Sequence, residues 1–278
     1  MTTLPIRNSR IRLTQGSLFW REVGYGPTLL FLHGNWQDSS QWVALMEQLG
    51  RQFHCIAPDL LGFGESSRLA KRKYSIALEV ECLTEYLTSL RTQPHVIVAD
   101  AIGAWVAVCY SLQHPDAVQG LIFMAPEGLA DPILDQRWQR LRWLASAWSI
   151  RVWALRLAIP LLKLVERDRW LLQIWRKRQK LLRYAAACQL LFQRRPKVLQ
   201  SEQLNNMLPQ LKTPVLILHP QRASSTTKLA NTIFHELAPN TQLATLPEDE
   251  AASWETATDI IQAFMKTEAM NTTQPYLR

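Results

Sequence analysis

Few side chains in this 278-residue chain are of types that carry catalytic chemistry and also follow short aliphatic runs. His33, Asp100 and His219 are the three clearest cases. An imidazole can act as a general base, and a carboxylate can act as a nucleophile or a base. A histidine inside an apolar pattern is more often packed and hydrogen-bonded than catalytic, and we interpret His33 and His219 in that way.

The sequence offers no recognisable cofactor site. The four cysteines are widely spaced and form no C-x-x-C pair, which argues against a zinc site or a disulfide framework and indicates a reducing compartment. Neither the phosphate-loop pattern G-x-x-x-x-G-K-[ST] nor the dinucleotide pattern G-x-G-x-x-G occurs. We therefore expect no metal and no cofactor. The N-terminal residues contain no apolar signal core, so we expect a cytoplasmic protein.

Short apolar runs alternate with helical patterns along most of the chain. The predicted strands are residues 28–32, 54–57, 95–99, 120–124, 213–218 and 242–246. The predicted helices are residues 76–91, 103–114, 226–237 and 254–266. This alternation predicts an α/β fold, in which helices cover both faces of a mostly parallel sheet. Ligands of such folds bind at the carboxyl ends of the strands.

One of these strand ends has a distinctive pattern. Residues 96–110 (VIVADAIGAWVAVCY) read as a strand, a tight turn of small residues and a helix. This segment resembles the nucleophile elbow of the α/β-hydrolase family, whose pattern is G-x-S-x-G. Ala101 then stands at the nucleophile position. Asp100 lies one position too early relative to Gly103 to be the nucleophile of the dehalogenase branch, and we interpret it as an exposed or helix-capping carboxylate.

Further segments are similar to the same family. HGNWQDSSQW, beginning at His33, resembles the oxyanion-hole loop, and PDLLGFGESS, beginning at Pro58, resembles the loop after the next strand. HPDAVQGLIFMAPEG, beginning at His114, is similar to the following helix–strand passage. The resemblance implies that the backbone N–H groups of Asn35 and Ile102 face a developing oxyanion. The residues that it places around a substrate pocket are His33, Gly34, Trp36, Asp100 and Trp105.

The other two positions of a Ser-His-Asp triad also fall on alanine. In this family the acid follows the strand after the cap, which corresponds to Ala223 in PVLILHPQRASS. The histidine follows the last strand, which corresponds to Ala251 in PEDEAASWE, and no histidine occurs after His235. Without the serine no acyl-enzyme forms, and without the histidine no group transfers the proton. We therefore expect the chain to be inactive as a hydrolase.

Three alanines at the triad positions leave two interpretations open. Independent drift to alanine at all three would be a rare coincidence, which favours the scaffold of a serine hydrolase whose triad was deliberately replaced. Such an enzyme would act on an ester or amide bond of an apolar substrate. The alternative is a natural pseudohydrolase that binds an apolar ligand, a lipid surface or a protein partner without turnover.

The net charge of +8 is concentrated in one segment. Residues 131–200 contain 16 Lys and Arg against 4 Asp and Glu, a net charge of +12, and six of the eleven Trp. The rest of the chain has 15 basic and 19 acidic residues, a net charge of −4. The resemblance places this segment at the helical cap of the family. It predicts a hydrolase core of residues 1–130 and 206–278 and a cap of residues 131–205.

Two interpretations of this basic segment also remain. It is either a solvated lid whose Trp residues cover the pocket, or a lid that contacts an anionic membrane surface through Trp, Leu, Arg and Lys. Its basic residues are interleaved with large apolar residues, and no recognised nucleic-acid motif occurs, so we expect no nucleic-acid partner. The expected ligand is a small apolar or lipid-like molecule.

Overall fold

The computed structural model of the chain describes residues 4–69, 74–146 and 169–273. In these ranges eight strands form one sheet, with the order β1-β2-β4-β3-β5-β6-β7-β8. The strands are β1 (Arg7–Arg12), β2 (Ser17–Val23), β3 (Thr28–Leu32), β4 (His54–Pro58), β5 (Val96–Asp100), β6 (Gly120–Met124), β7 (Val215–Pro220) and β8 (Thr241–Leu246).

Strands β3 to β8 run parallel to one another, which confirms the predicted parallel sheet. All five residues of β3 (TLLFL) are buried, because both faces of the sheet are covered. The sequence prediction missed β1 and β2, which pair antiparallel at one edge. The residues of β1 (RNSRIR) are mostly exposed and polar, so no apolar run marks them, and arginines protect this open edge from further pairing.

Helices connect the parallel strands and cover the sheet. The longer helices of the described ranges are α1 (Val43–Leu49), α2 (Ile76–Ser89), α3 (Ile102–Gln113), α4 (Pro132–Ala145), α5 (Arg169–Arg183), α8 (Ser225–Leu237) and α9 (Glu250–Thr273). The short ones are α6 (Ala185–Cys188) and α7 (Pro196–Ser201), and a π-helical turn (Gln189–Gln193) lies between them.

The four helices α4 to α7 all lie between β6 and β7, within the segment predicted to be the cap. Residues 147–168 of that segment, with Trp148 and Trp153, lie outside the described residues, and the domain boundaries stay a prediction. No helix in the part of the chain that the structure describes is both long and apolar enough to span a membrane.

Alternate residues of the central strands belong to different cores. Leu30 and Leu32 of β3 pack with α2, α3 and α8, whereas Leu29 and Phe31 pack with α1 and α9. This alternation follows from the two-residue period of a strand, which sends successive side chains to opposite faces of the sheet. Two buried cores therefore fix the sheet from both sides, and the carboxyl ends of β3 and β5 to β8 meet at one edge.

Candidate active site

The turn between β5 and α3 has the sharp geometry of an elbow. Ala101 occupies it with φ 47° and ψ −110°, a left-handed backbone conformation that is strained for any residue with a Cβ. Its N–H donates to Met124 O (3.0 Å), and its carbonyl accepts from Trp105 N–H (3.2 Å). The strained turn is thus held by β6 on one side and by the first turn of α3 on the other. A methyl group stands at its tip.

The first helical N–H after the elbow already has an acceptor. The backbone N–H of Ile102 donates to Oδ1 of Asn35 (3.0 Å), and both residues are buried. The resemblance assigned a backbone N–H of Asn35 to the oxyanion hole. The structure adds its side chain, which occupies the position where an oxyanion would accept the Ile102 N–H.

A buried carboxylate holds the other end of this amide. Asn35 Nδ2 donates to Glu127 Oε1 (2.9 Å), and Arg137 Nη2 donates to Glu127 Oε2 (2.5 Å). Burial raises the pKa of Glu127. The charge of Arg137 and the hydrogen bonds from Asn35, Arg137 and Trp138 lower this pKa and so oppose part of the rise. The guanidinium of Arg137 also lies 4.3 Å from the ring centroid of Trp138. Sequence reasoning missed Glu127, although it lies just beyond the carboxyl end of β6, beside the elbow strand.

His33 lies in the core of the loop after β3. Its Nε2 accepts from Leu60 N–H (3.1 Å), so Nδ1 carries the proton and donates to Gly34 O (3.0 Å). The ring packs 4.8 Å from that of Phe63, and burial lowers the pKa of His33. Both ring nitrogens of this neutral imidazole are therefore hydrogen-bonded to the backbone, where they fix the loop after β3.

The interpretation of Asp100 as an exposed or helix-capping carboxylate is wrong, because its carboxylate is buried and faces the same loop from the end of β5. Its Oδ2 accepts from Gln41 Nε2 (2.9 Å), and Gln41 Oε1 accepts from Gly34 N–H (3.0 Å). Burial raises the pKa of Asp100 to about 6. A Cβ on Gly34 would lie 2.3 Å from Asp100 Oδ2, so the missing side chain at residue 34 makes room for this carboxylate.

The two predicted pocket tryptophans make different contacts. The ring of Trp36 lies 6.4 Å from that of Trp138 in α4 and 6.1 Å from that of Tyr184, which lies between α5 and α6. Trp105 Nε1 donates to the carbonyl of Glu202 (2.9 Å), and its ring covers Gly128 so closely that a Cβ there would lie 2.5 Å away. Both residues thus join the core to the helical segment.

Two adjoining cavities lie between this segment and the elbow region. The inner one, about 50 Å³, is lined by Glu127 and Trp105, and the outer one, about 210 Å³, by Phe192 and Arg142. The residues that line both are Asp135, Trp138, Leu191, Leu199 and Gln203. Because they share these five residues, the two cavities adjoin each other beside α4, the π-helical turn and α7.

The remaining triad positions lie at neighbouring strand ends. Ala223 follows β7, where its N–H donates to Pro220 O (2.9 Å), and Ala251 is the second residue of α9, after β8. The topology therefore puts both on the sheet edge that carries Ala101. His219 is hydrogen-bonded, as expected, with Asn231 Nδ2 donating to its Nδ1 (2.9 Å).

Comparison with known proteins agrees with this architecture. The model of the alpha/beta hydrolase fold family matches residues 27–221. A 2-hydroxymuconate semialdehyde hydrolase from a Pseudomonas species is 31% identical over 123 residues, which are 42% of this chain and 44% of that protein. A haloalkane dehalogenase from Mesorhizobium japonicum is 34% identical over 125 residues, which are 45% of this chain and 40% of that protein. The chain thus spans less than half the length of the curated relatives it matches.

A solved structure extends the likeness to nearly the whole chain. A thermophilic esterase from Thermogutta terrifontis superposes with a TM-score of 0.68 and 22% identity, covering 94% of this chain and 99% of that one. At this identity the likeness concerns the fold alone.

Proposed function

This chain belongs to the α/β hydrolase fold family, and we propose that it is a catalytically inactive member that binds a small apolar or lipid-like ligand without turnover. In this proposal Ala101, Ala223 and Ala251 stand at the Ser, Asp and His positions of a serine hydrolase acting on ester or amide bonds.

The conformation of Ala101 carries this proposal. A left-handed residue other than glycine costs on the order of 1–3 kcal/mol, and a methyl side chain gains nothing from that position. The turn therefore has the backbone geometry expected of a nucleophile elbow, but its side chain is a methyl group that cannot act as a nucleophile.

The cavity beside the elbow supports an apolar ligand. Its walls include the apolar side chains of Trp105, Leu129, Leu191 and Trp138. Ligand pockets bury the hydrocarbon portion of a ligand and orient it through a few polar groups. Glu127 would be such an orienting group.

Restoring the triad tests the proposal. The chain itself should hydrolyse p-nitrophenyl butyrate no faster than buffer, whereas the variant Ala101→Ser, Ala223→Asp, Ala251→His should show clear turnover. The double variant Ala223→Asp, Ala251→His is the matched control, because it lacks only the nucleophile and should stay inactive. Turnover by the unchanged chain would refute inactivity. A triple variant no faster than the double one would refute the assignment of the three positions.

Membrane contact is a second candidate function. Its support is the basic segment, where the exposed Leu182 lies beside the exposed Arg183 and Ile133 is also exposed. Apolar side chains among cations suit the interface of an anionic bilayer. Co-sedimentation with phosphatidylglycerol vesicles, but not with phosphatidylcholine vesicles, is the expected result. Equal recovery with both vesicle types would speak against it.

A further inference from the structure

The inner end of the cavity offers hydrogen-bond acceptors. The acidic residue Glu127 lines the inner cavity, and Asp135 lines both cavities. The resemblance implies that the backbone N–H of Ile102, at the start of α3, faces an oxyanion. In the structure this N–H already donates to Asn35. A ligand at this end therefore finds carboxylate residues in the cavity wall, while the Ile102 N–H is already bonded.

The neighbours of Asn35 fix the direction of its amide. The Ile102 N–H can only donate, so the amide oxygen must face it. The ionised Glu127, paired with Arg137, can only accept, so the amide NH₂ must face the carboxylate. Turning Asn35 away would leave the buried Ile102 N–H without a hydrogen-bond partner, which is unfavourable. A carbonyl ligand would have to overcome this cost to reach Ile102.

From this arrangement we propose that the cavity selects slender aliphatic ligands with a hydrogen-bond-donating head, an alcohol or an amine, over carboxylates of equal length. The inference rests on the proposed function, since it names the ligand class of the same site. A donating head can hydrogen-bond to Glu127, whereas an ionised carboxylate head has no proton to donate to it. Asn35 determines this preference for donor heads, because its side chain already accepts the Ile102 N–H, which a carboxylate would otherwise bind.

The probes are 1-octanol, octylamine and octanoate, which share an eight-carbon chain and differ in the head group. Calorimetric titration of the full chain should give dissociation constants about tenfold or more tighter for at least one donor head than for octanoate. The alcohol and amine titrations identify which donor is preferred. The amide NMR signal of Ile102 should stay unshifted by octanoate, because Asn35 already occupies it.

Two variants test whether Asn35 sets the preference. Asn35→Ala frees the Ile102 N–H, so octanoate should bind about tenfold more tightly than to the unchanged chain and should shift the Ile102 amide signal. Glu127→Gln offers an NH₂ donor in place of a carboxylate and should also improve octanoate binding. Asn231→Ala is the matched control, a buried asparagine bonded to His219 instead, and should leave the ranking unchanged.

Several outcomes would overturn the inference. Octanoate binding to the unchanged chain as tightly as both donor heads, or no binding of any probe, would do so. An unchanged ranking in folded Asn35→Ala and Glu127→Gln proteins, with folding checked by circular dichroism, would also do so. Ester hydrolysis by the triad-restored variant is measured separately, so a failure here leaves the proposed assignment of the three triad positions standing.

Discussion

Gly103, the second residue of α3, lies directly against the backbone carbonyl of Leu32 at the end of β3. A Cβ on Gly103 would lie 2.5 Å from Leu32 O, 2.7 Å from Leu32 C and 2.8 Å from His33 O. These atoms belong to the backbone of a central strand and of the loop that follows it, so they have little freedom to move. The close approach of helix to strand, and with it the elbow at Ala101, requires glycine at residue 103.

Replacing Gly103 by alanine should therefore destabilise the fold strongly. We expect Gly103→Ala to lower the free energy of unfolding by about 3 kcal/mol or more, at the upper end of the range for overpacked cores. Gly34→Ala is the matched comparison, because its Cβ would meet only the carboxylate of Asp100, which can rotate away. Urea denaturation measures both. Equal losses in the two variants would show that the backbone contact does not control the packing.

The elbow and the parallel strands could be predicted because their signals are local. The run of residues 28–32 is mostly apolar, and Ala99, Ala101 and Gly103 lie at and just after the end of their strand. The hydrogen bond between Asn35 and Glu127 joins residues that are 92 positions apart, so no local sequence pattern predicts it. Many polar side chains lie at this edge of the sheet, and only the folded structure determines which of them form hydrogen bonds with each other.

The pair of Glu127 and Arg137 should show strong energetic coupling. Arg137→Gln leaves a buried carboxylate without its cation and should cost about 2 kcal/mol, because Glu127 lies in the core while Arg137 is partly exposed. Glu127→Gln should cost less, since its amide oxygen can still accept from Asn35. The double variant should recover part of the loss of Arg137→Gln. A double-mutant cycle by urea denaturation measures this coupling, and strictly additive losses would contradict it.

Helix α8 should depend on a single N-terminal cap. Ser224 precedes it in an extended conformation, and its side-chain oxygen accepts from Thr227 N–H (3.1 Å). Ser224→Ala should cost about 1 kcal/mol, because that helical N–H loses its partner. Ser225→Ala, one position later and inside the helix, should have a smaller effect. Thermal unfolding followed by circular dichroism compares the two, and identical midpoints would rule out the cap.

Glu79 should make the stability of the protein fall as the pH rises. It lies buried in α2, where Leu61 N–H donates to its Oε2 (3.1 Å), and burial raises its pKa from about 4.5 to about 8. Between these values the folded chain keeps the proton while the unfolded chain releases it. The folded state is therefore favoured most below about pH 4.5, and this contribution is lost progressively towards pH 8.

The variant Glu79→Gln separates this carboxyl from the other titrating groups. Glutamine is neutral at every pH, so the urea midpoint of the variant should fall less between pH 5 and pH 8 than that of the unchanged chain, with the two curves diverging most at pH 8. Glu81→Gln, an exposed position on the same helix, should reproduce the slope of the unchanged chain. If Glu79→Gln kept the full slope, Glu79 would have to be ionised in the folded protein already at neutral pH.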